Sequence, residues 1–273
     1  MYEVHFGLAP RPFRDLPADA PAVPLPSREA ARRRLRYGLE QGQGPALLVG
    51  PPGSGKTLLA GALAAELGGR VVHLAFPALP AADLVALLAD EFAPPAPGPG
   101  PGPPASTWAG SLRRLRDGLA SATARGDRPF LVVDEAHLIE DPATFEAIRL
   151  LLNFASLGPP DLALLVVGGP EVLARLPTAL GDRLASRASI DGLTLSETSA
   201  YVLGRLDAAG ADRPLFDAPA LAELHRAAEG LPRRINRLAD MALLVAYADG
   251  RDAATTADVL AAGRESPFDL LAA

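Results

Sequence analysis

The 273-residue sequence predicts an α/β domain, with helices covering a parallel sheet, followed by a smaller all-α unit. Three observations lead there. Short apolar runs, Ala46–Val49, Phe130–Val133 and Leu162–Val167, alternate with longer helical stretches, as strands buried on both faces do. The first run leads into Gly50-Pro51-Pro52-Gly53-Ser54-Gly55-Lys56-Thr57, and a proline-free, Leu- and Ala-rich stretch follows it to Leu67. From Glu197 onward the pattern is helical throughout.

Strand, glycine-rich turn and helix together form the arrangement that cradles nucleotide phosphates. The glycines let backbone N–H groups turn inward around an anion, and the helix N-terminus adds partial positive charge. Lys56 supplies a point charge for the β- and γ-phosphates, and Thr57 a hydroxyl for Mg²⁺. The candidate ATP-binding set is therefore Gly50, Pro51, Pro52, Gly53, Ser54, Gly55, Lys56, Thr57 and the next residue, Leu58.

Composition narrows the function classes. Hydrophobic residues make up 49% of the chain, enough for a sizeable core, while aromatics are only 5%, which favours an Ala/Leu-rich helical protein around a modest sheet. The absence of cysteine removes disulfides, thiolate zinc sites and thiol nucleophiles, and suits a reducing cytoplasm. The four histidines, His5, His73, His137 and His225, have no metal-ligand spacing. The start of the chain lacks a basic segment followed by an apolar core, and the longest apolar run, Met241 to Ala248, is far short of a membrane span. A net charge of −6 argues against a globally basic nucleic-acid binder, though not against a local basic patch.

In chain order, residues 1–27 are proline-rich and irregular, with Phe6-Gly7-Leu8 and Pro12-Phe13 as apolar anchors. Ser27 is expected to cap a helix over Arg28–Gln41, basic on one side through Arg32-Arg33-Arg34 and Arg36. Arg70–Leu74 is expected as the second strand, with His73 packed within it, and Ala81–Phe92 as a helix. Residues 93–105, rich in Pro and Gly, fit a disordered loop or spacer, and a helix resumes over Trp108–Ala124.

The third strand, Phe130–Val133, ends in Asp134-Glu135-Ala136-His137. A buried strand delivers carboxylates at its C-terminal end, where open parallel sheets bind ligands. Asp134 is the candidate Mg²⁺ holder, with Thr57, and Glu135 the candidate to polarise the attacking water. A helix over Ala143–Ser156 and the strand Leu162–Val167 follow. That strand ends in Gly168-Gly169, where many such ATPases place a polar side chain against the γ-phosphate or the lytic water. Arg183 and Arg187, one helical turn apart before a last short strand around Ile190–Leu193, are candidates to reach a neighbouring subunit's γ-phosphate. Helices are expected over Glu197–Ala209, Ala218–Glu229, Pro232–Ala248 and Thr256–Gly263, with Arg233 and Arg234 at the start of the third, placed to pair with phosphate oxygens.

Taken together, these motifs resemble bacterial AAA+ ATPases of the general secretion pathway protein A (ExeA) type. The resemblance rests on Tyr2…Phe6-Gly7-Leu8…Pro12-Phe13, Gly50–Thr57, Val132–His137, Ile148–Asn153, Val167–Glu171, Arg183…Arg187…Leu193–Thr198 and Gly230–Asn236, in order over nearly the whole chain. It implies a P-loop NTPase three-layer sandwich with sheet order 5-1-4-3-2 and a C-terminal helical lid. It divides the chain into an N-terminal extension (1–27), a nucleotide-binding domain (28–195), a lid (196–265) and a tail (266–273). By motif match, Arg183 is the arginine finger acting in trans, Arg187 second to it, and Arg233 the sensor-2 residue, so nucleotide-linked homo-oligomers are implied.

This sequence departs from the family at three places. Gly169 stands where the sensor-1 residue, commonly Gln, is usual; residues 93–105 look like an insertion; and the chain stops after the lid, where secretion-type members often continue into a membrane span and a peptidoglycan-binding domain. The expected function is a cytoplasmic Mg-ATPase, slow and oligomer-dependent, that assembles with a protein partner in a secretion or envelope system. The alternatives are a DNA-associated transposition helper, drawing on Arg32–Arg36, Arg113-Arg114-Arg116 and Arg233-Arg234-Arg237, and a nucleotide-gated scaffold that hardly hydrolyses.

Overall fold

The structure, a computed structural model, describes residues 1–14, 23–42, 44–93, 107–155 and 161–264. The chain runs α1 (Tyr2–His5), α2 (Pro26–Gln41), β1 (Ala46–Val49), α3 (Lys56–Leu67), β2 (Val71–Leu74), α4 (Ala81–Phe92), α5 (Trp108–Ala124) and β3 (Phe130–Val133). After a 3₁₀ turn at Ala136–Leu138 come α6 (Pro142–Leu151), β4 (Ala163–Gly168), α7 (Val172–Arg175), α8 (Thr178–Gly181) and β5 (Ser186–Ser189). The last helices are α9 (Leu195–Ala208), α10 (Ala218–Ala228), α11 (Pro232–Ala248) and α12 (Thr256–Arg264). Apart from Ala93, the Pro/Gly-rich segment 93–105 lies outside the described residues, as do 15–22 of the N-terminal extension and the tail 266–273.

The chain forms two compact units, one of residues Ala31–Gly50 and Lys56–Ser189, the other of Met1–Ala30, Pro51–Gly55 and Ile190–Ala273. The first holds a five-stranded parallel sheet of order β2-β3-β4-β1-β5, the order the resemblance implied, read from the other edge. Strands β1, β3 and β4 are buried at every position, which is why they read as unbroken apolar runs. On one face, Leu47, Val49, Leu131, Val133, Leu164 and Val166 share a core with Leu84 and Leu88 of α4, Leu115 and Leu119 of α5, and Phe145 and Ile148 of α6. Helix α3 packs against β4.

The two edge strands differ from the central ones. Strand β2 alternates exposed and buried residues. Strand β5 is Ser-Arg-Ala-Ser, polar enough to sit at an edge. The expected last strand at Ile190–Leu193 is therefore corrected to Ser186–Ser189, and Arg187 lies inside that strand rather than one helical turn beyond Arg183. Ile190 and Leu193 are apolar because they are buried, Leu193 in the core of the other unit. Helix α2 starts at Pro26, which suits the first helical turn, so Ser27 is a helix residue rather than the cap. Helix α6 stops at Leu151, short of the expected Ser156.

The second unit is helical. Tyr2, Phe6, Leu8 and Phe13 share its core with Val202 and Leu206 of α9, Leu224 of α10, and Ile235, Leu238 and Leu243 of α11. Helix α9 starts with a capping box: Glu197 N–H donates to Thr194 Oγ1 at 3.2 Å and Thr194 N–H to Glu197 Oε2 at 3.2 Å. The Ser27 N–H also donates to Glu197, at 2.8 Å. Burial pushes the Glu197 carboxyl up, but the donors from Ser27 and Thr194 outweigh it and hold it below the usual range. Before α11, Glu229 and Gly230 are both left-handed, and Leu193 N–H donates to the Gly230 carbonyl at 2.8 Å. No helix among the described residues is long and apolar enough to cross a membrane.

Candidate nucleotide site

The P-loop begins where β1 ends. Gly50 N–H donates to the Gly168 carbonyl at the end of β4, at 3.2 Å, and Lys56 Nζ, on a buried side chain, donates to the Gly50 carbonyl at 2.9 Å. Gly53 and Gly55 take φ of +78° and +94°, a conformation side-chain-bearing residues rarely adopt. A Cβ on Gly55 would meet nothing within 4 Å, so the loop faces open space there. The Ser54 hydroxyl is fully buried and has no hydrogen-bond partner among the described residues. Leu58 follows, half-buried in the first turn of α3. An ammonium group, left-handed glycines and an orphaned hydroxyl suit a phosphate group.

Strand β3 brings its carboxylate to α3. Thr57 Oγ1 donates to Asp134 Oδ2 at 2.7 Å, and Glu135 N–H donates to Asp134 Oδ1 at 2.9 Å. Asp134 is only 3% exposed. Burial pushes its carboxyl up, yet contacts from His73, Thr57 and the Glu135 N–H together hold it below the usual carboxylate range. A hydroxyl and a carboxylate at this distance are hard oxygen donors of the kind Mg²⁺ takes alongside phosphate oxygens.

Glu135 has φ of +50°, and its side chain is 44% exposed. A non-glycine residue in the left-handed region costs of order 1 kcal/mol or more and persists where the surroundings enforce it. Here the 3₁₀ turn begins immediately after it. His137 lies beside it, with Nδ1 accepting from Gly169 N–H at 3.2 Å and standing 3.4 Å from Glu135 Oε2. At Gly169 itself a Cβ would run into the Glu171 carboxylate.

The arginines are placed as follows. Arg183, half-buried, donates from Nη1 to Asn153 Oδ1 at 2.9 Å. Arg187 is exposed on the edge strand β5. Within the helical unit, Arg233 N–H donates to the Gly53 carbonyl at 3.3 Å, and a Cβ on Gly53 would lie 2.9 Å from Arg233 Cβ, so α11 starts directly against the P-loop turn.

Sequence reasoning missed two residues. Arg28 Nη2 donates to the Ser54 carbonyl at 3.2 Å and to the Asp191 carbonyl at 2.6 Å, bracing the P-loop from α2; burial pulls its pKa down. Arg28 is a single residue in an arginine-rich helix, and only the register of that helix sets it apart. His73, expected to pack inside its strand, is instead partly exposed, with Nε2 3.2 Å from Asp134 Oδ2. The alternation of the edge strand was the available signal.

Residues 39–176 match the family model described as AAA domain. The chain belongs to the AAA family of P-loop ATPases. It is 33% identical over 275 residues to general secretion pathway protein A of Aeromonas hydrophila, a match covering 97% of this chain and 48% of that protein. The chain thus spans about half the length of that relative. Among solved structures it is similar to Cdc6p from Pyrobaculum aerophilum (22% identity, 93% of this chain and 73% of that one, TM-score 0.70). It is also similar to Orc1 from Aeropyrum pernix, solved in complex with DNA (19%, 89% and 66%, TM-score 0.62). A third is RuvB from Thermotoga maritima (20%, 88% and 70%, TM-score 0.61). These structural likenesses establish the AAA fold.

Proposed function

We propose that this AAA protein binds Mg-ATP and couples binding and slow hydrolysis to self-assembly and to a protein partner in a bacterial secretion or envelope system. The observation that carries the nucleotide reading is the 2.7 Å hydrogen bond between Thr57 and Asp134, which gathers two Mg²⁺-type oxygens at the foot of the P-loop. When bound, Mg²⁺ supplies charge neutralisation across the β- and γ-phosphates. Residues Gly50–Leu58 bind the nucleotide, with Lys56 on the phosphates. Glu135 takes a proton from the attacking water as its oxygen bonds to the γ-phosphorus and ADP leaves. Arg233 neutralises phosphate charge at Gly53–Gly55. Arg183, with Arg187 second, serves a neighbouring subunit's site; a half-buried guanidinium steadied by Asn153 supports presentation to a partner. Residues 28–195 bind nucleotide and 196–265 act as the lid.

The setting rests on the likeness to general secretion pathway protein A. The DNA-helper reading has less support, because Arg32, Arg36, Arg114, Arg116 and Arg234 of its candidate patches each have a carboxylate partner. The scaffold reading is favoured by Gly169, which offers the γ-phosphate no side chain.

Phosphate release, measured beside the binding of a fluorescent ATP analogue, tests the proposal. Wild-type protein should release phosphate slowly and faster as its concentration rises. Arg183→Ala should bind ATP but not hydrolyse it, and mixing it with Lys56→Ala protein should restore part of the activity. ATP binding with no phosphate release above background at any concentration favours the scaffold; no ATP binding ends both readings.

A further inference from the structure

The helical unit contains a cavity of about 350 Å³, and the nucleotide reading uses only Arg233 of its lining. One wall is α11, which turns Arg233, Asn236, Arg237 and Asp240 to the same side, at the i, i+3, i+4 and i+7 spacing of one helix face. The other is the N-terminal segment, with Arg11, Phe13 and Arg14. Among the described residues that line it, four guanidinium groups and one carboxylate meet, in a chain whose net charge is −6.

That carboxylate is already engaged. Asp240 Oδ1 accepts from Tyr2 Oη at 2.5 Å and from Arg11 Nε at 2.8 Å, and Oδ2 pairs with Arg11 Nη2. Both walls are anchored from behind. Asn236 accepts from Tyr201 Oη at 2.8 Å, Phe13 packs edge-on against Phe216 at 6.3 Å, and the Arg14 carbonyl accepts from Arg205 Nη2 at 2.6 Å. The side chains of Arg14, Arg233 and Arg237 are exposed, so a ligand can reach them.

We propose that this cavity is a second anion site that takes a small phosphate-bearing ligand, with Arg14, Arg233 and Arg237 as its phosphate contacts. Planar guanidinium forks match phosphate oxygens two at a time, and several together suit a multiply charged anion better than a single carboxylate. The volume fits a small molecule rather than a helix or a duplex. Arg233 also adjoins the P-loop turn at Gly53, so a ligand that draws its guanidinium into the cavity opposes its use on phosphate at Gly53–Gly55. The two ligands should weaken each other's binding by the same factor. This coupling rests on the nucleotide reading; binding in the cavity does not.

The probe is tripolyphosphate, titrated calorimetrically at low salt into Lys56→Ala protein, in which the P-loop charge is gone. Saturable one-to-one binding is expected, weakening as salt rises. Added Arg14→Glu or Arg237→Glu should each lower the affinity tenfold or more, and the milder Arg14→Gln and Arg237→Gln less, with unchanged thermal unfolding. Absence of saturable binding overturns the proposal, as does affinity that survives both charge reversals, or binding of a duplex oligonucleotide where tripolyphosphate does not bind. If wild-type protein fails to bind Mg-ATP while Lys56→Ala still binds tripolyphosphate at these arginines, the nucleotide reading falls and the cavity stands.

Discussion

Strands β3 and β4 lie side by side, run in the same direction and are buried along their whole lengths, yet they end differently. Strand β3 ends in Asp134 and Glu135, two carboxylates, the first of which takes contacts from Thr57, His73 and the Glu135 N–H. Strand β4 ends in Gly168 and Gly169, which offer only backbone: the Gly168 carbonyl accepts from Gly50 and the Gly169 N–H donates to His137. The apolar runs that place both tips in the sheet are equivalent, so packing does not explain the difference. It concerns what each tip presents to a ligand. In the proposed function the β3 tip holds a cation and moves a proton, while the β4 tip steadies its neighbours through backbone hydrogen bonds.

This contrast is sharpest in turnover. Glu135→Gln keeps the shape of the β3 tip and removes the base, so phosphate release should fall about 10²- to 10⁴-fold with ATP binding retained. Equal release by wild type and mutant would mean that the β3 tip is no more catalytic than the β4 tip. A smaller effect is expected one layer out. His73 touches the same Asp134 oxygen as Thr57, and supporting contacts of this kind typically matter about 10- to 100-fold in metal affinity. His73→Ala should raise the Mg²⁺ concentration needed for half-maximal ATP hydrolysis or analogue binding by up to that factor. An unchanged Mg²⁺ dependence would remove His73 from the site.

Much of this contrast was legible in the sequence, because both tips follow apolar runs that only a doubly covered parallel strand requires. The glycine-rich turn and Asp134-Glu135 are local patterns and read directly. Strand β5 was not legible, because an edge strand of Ser-Arg-Ala-Ser carries no apolar signal, and the apolar residues after it belong to another core. Nor were Arg28 and His73, whose contacts join residues 26 and 61 positions apart. Residue type alone does not separate Arg28 from Arg32, Arg33 or Arg34; the helix register does.

The β4 tip allows a gain as well as a loss. Gly169→Gln adds a polar side chain where the sheet now ends in backbone. Its Cβ runs into the Glu171 carboxylate, an exposed side chain able to swing away, so the fold should survive. Phosphate release should rise a few-fold, equivalent to about 1 kcal/mol of barrier. No change would mean that slow turnover has its origin elsewhere than the bare β4 tip.

The smallest expected effect is on stability without nucleotide. Asp134 is held below its ordinary carboxylate value in the folded protein, so the folded state favours its ionised form. That contribution is fully present above the unfolded-state value of about 4 and is lost as pH falls through the lower folded value. Burial opposes the hydrogen bonds, which keeps the net contribution small. Urea unfolding of wild type and Asp134→Asn at pH 7 and at steps below pH 4 should show the wild type losing more stability on acidification, the gap opening only below pH 4. If the two proteins lose stability in parallel, the hydrogen bonds around Asp134 do not favour its ionised form, and the β3 tip differs from the β4 tip in chemistry alone.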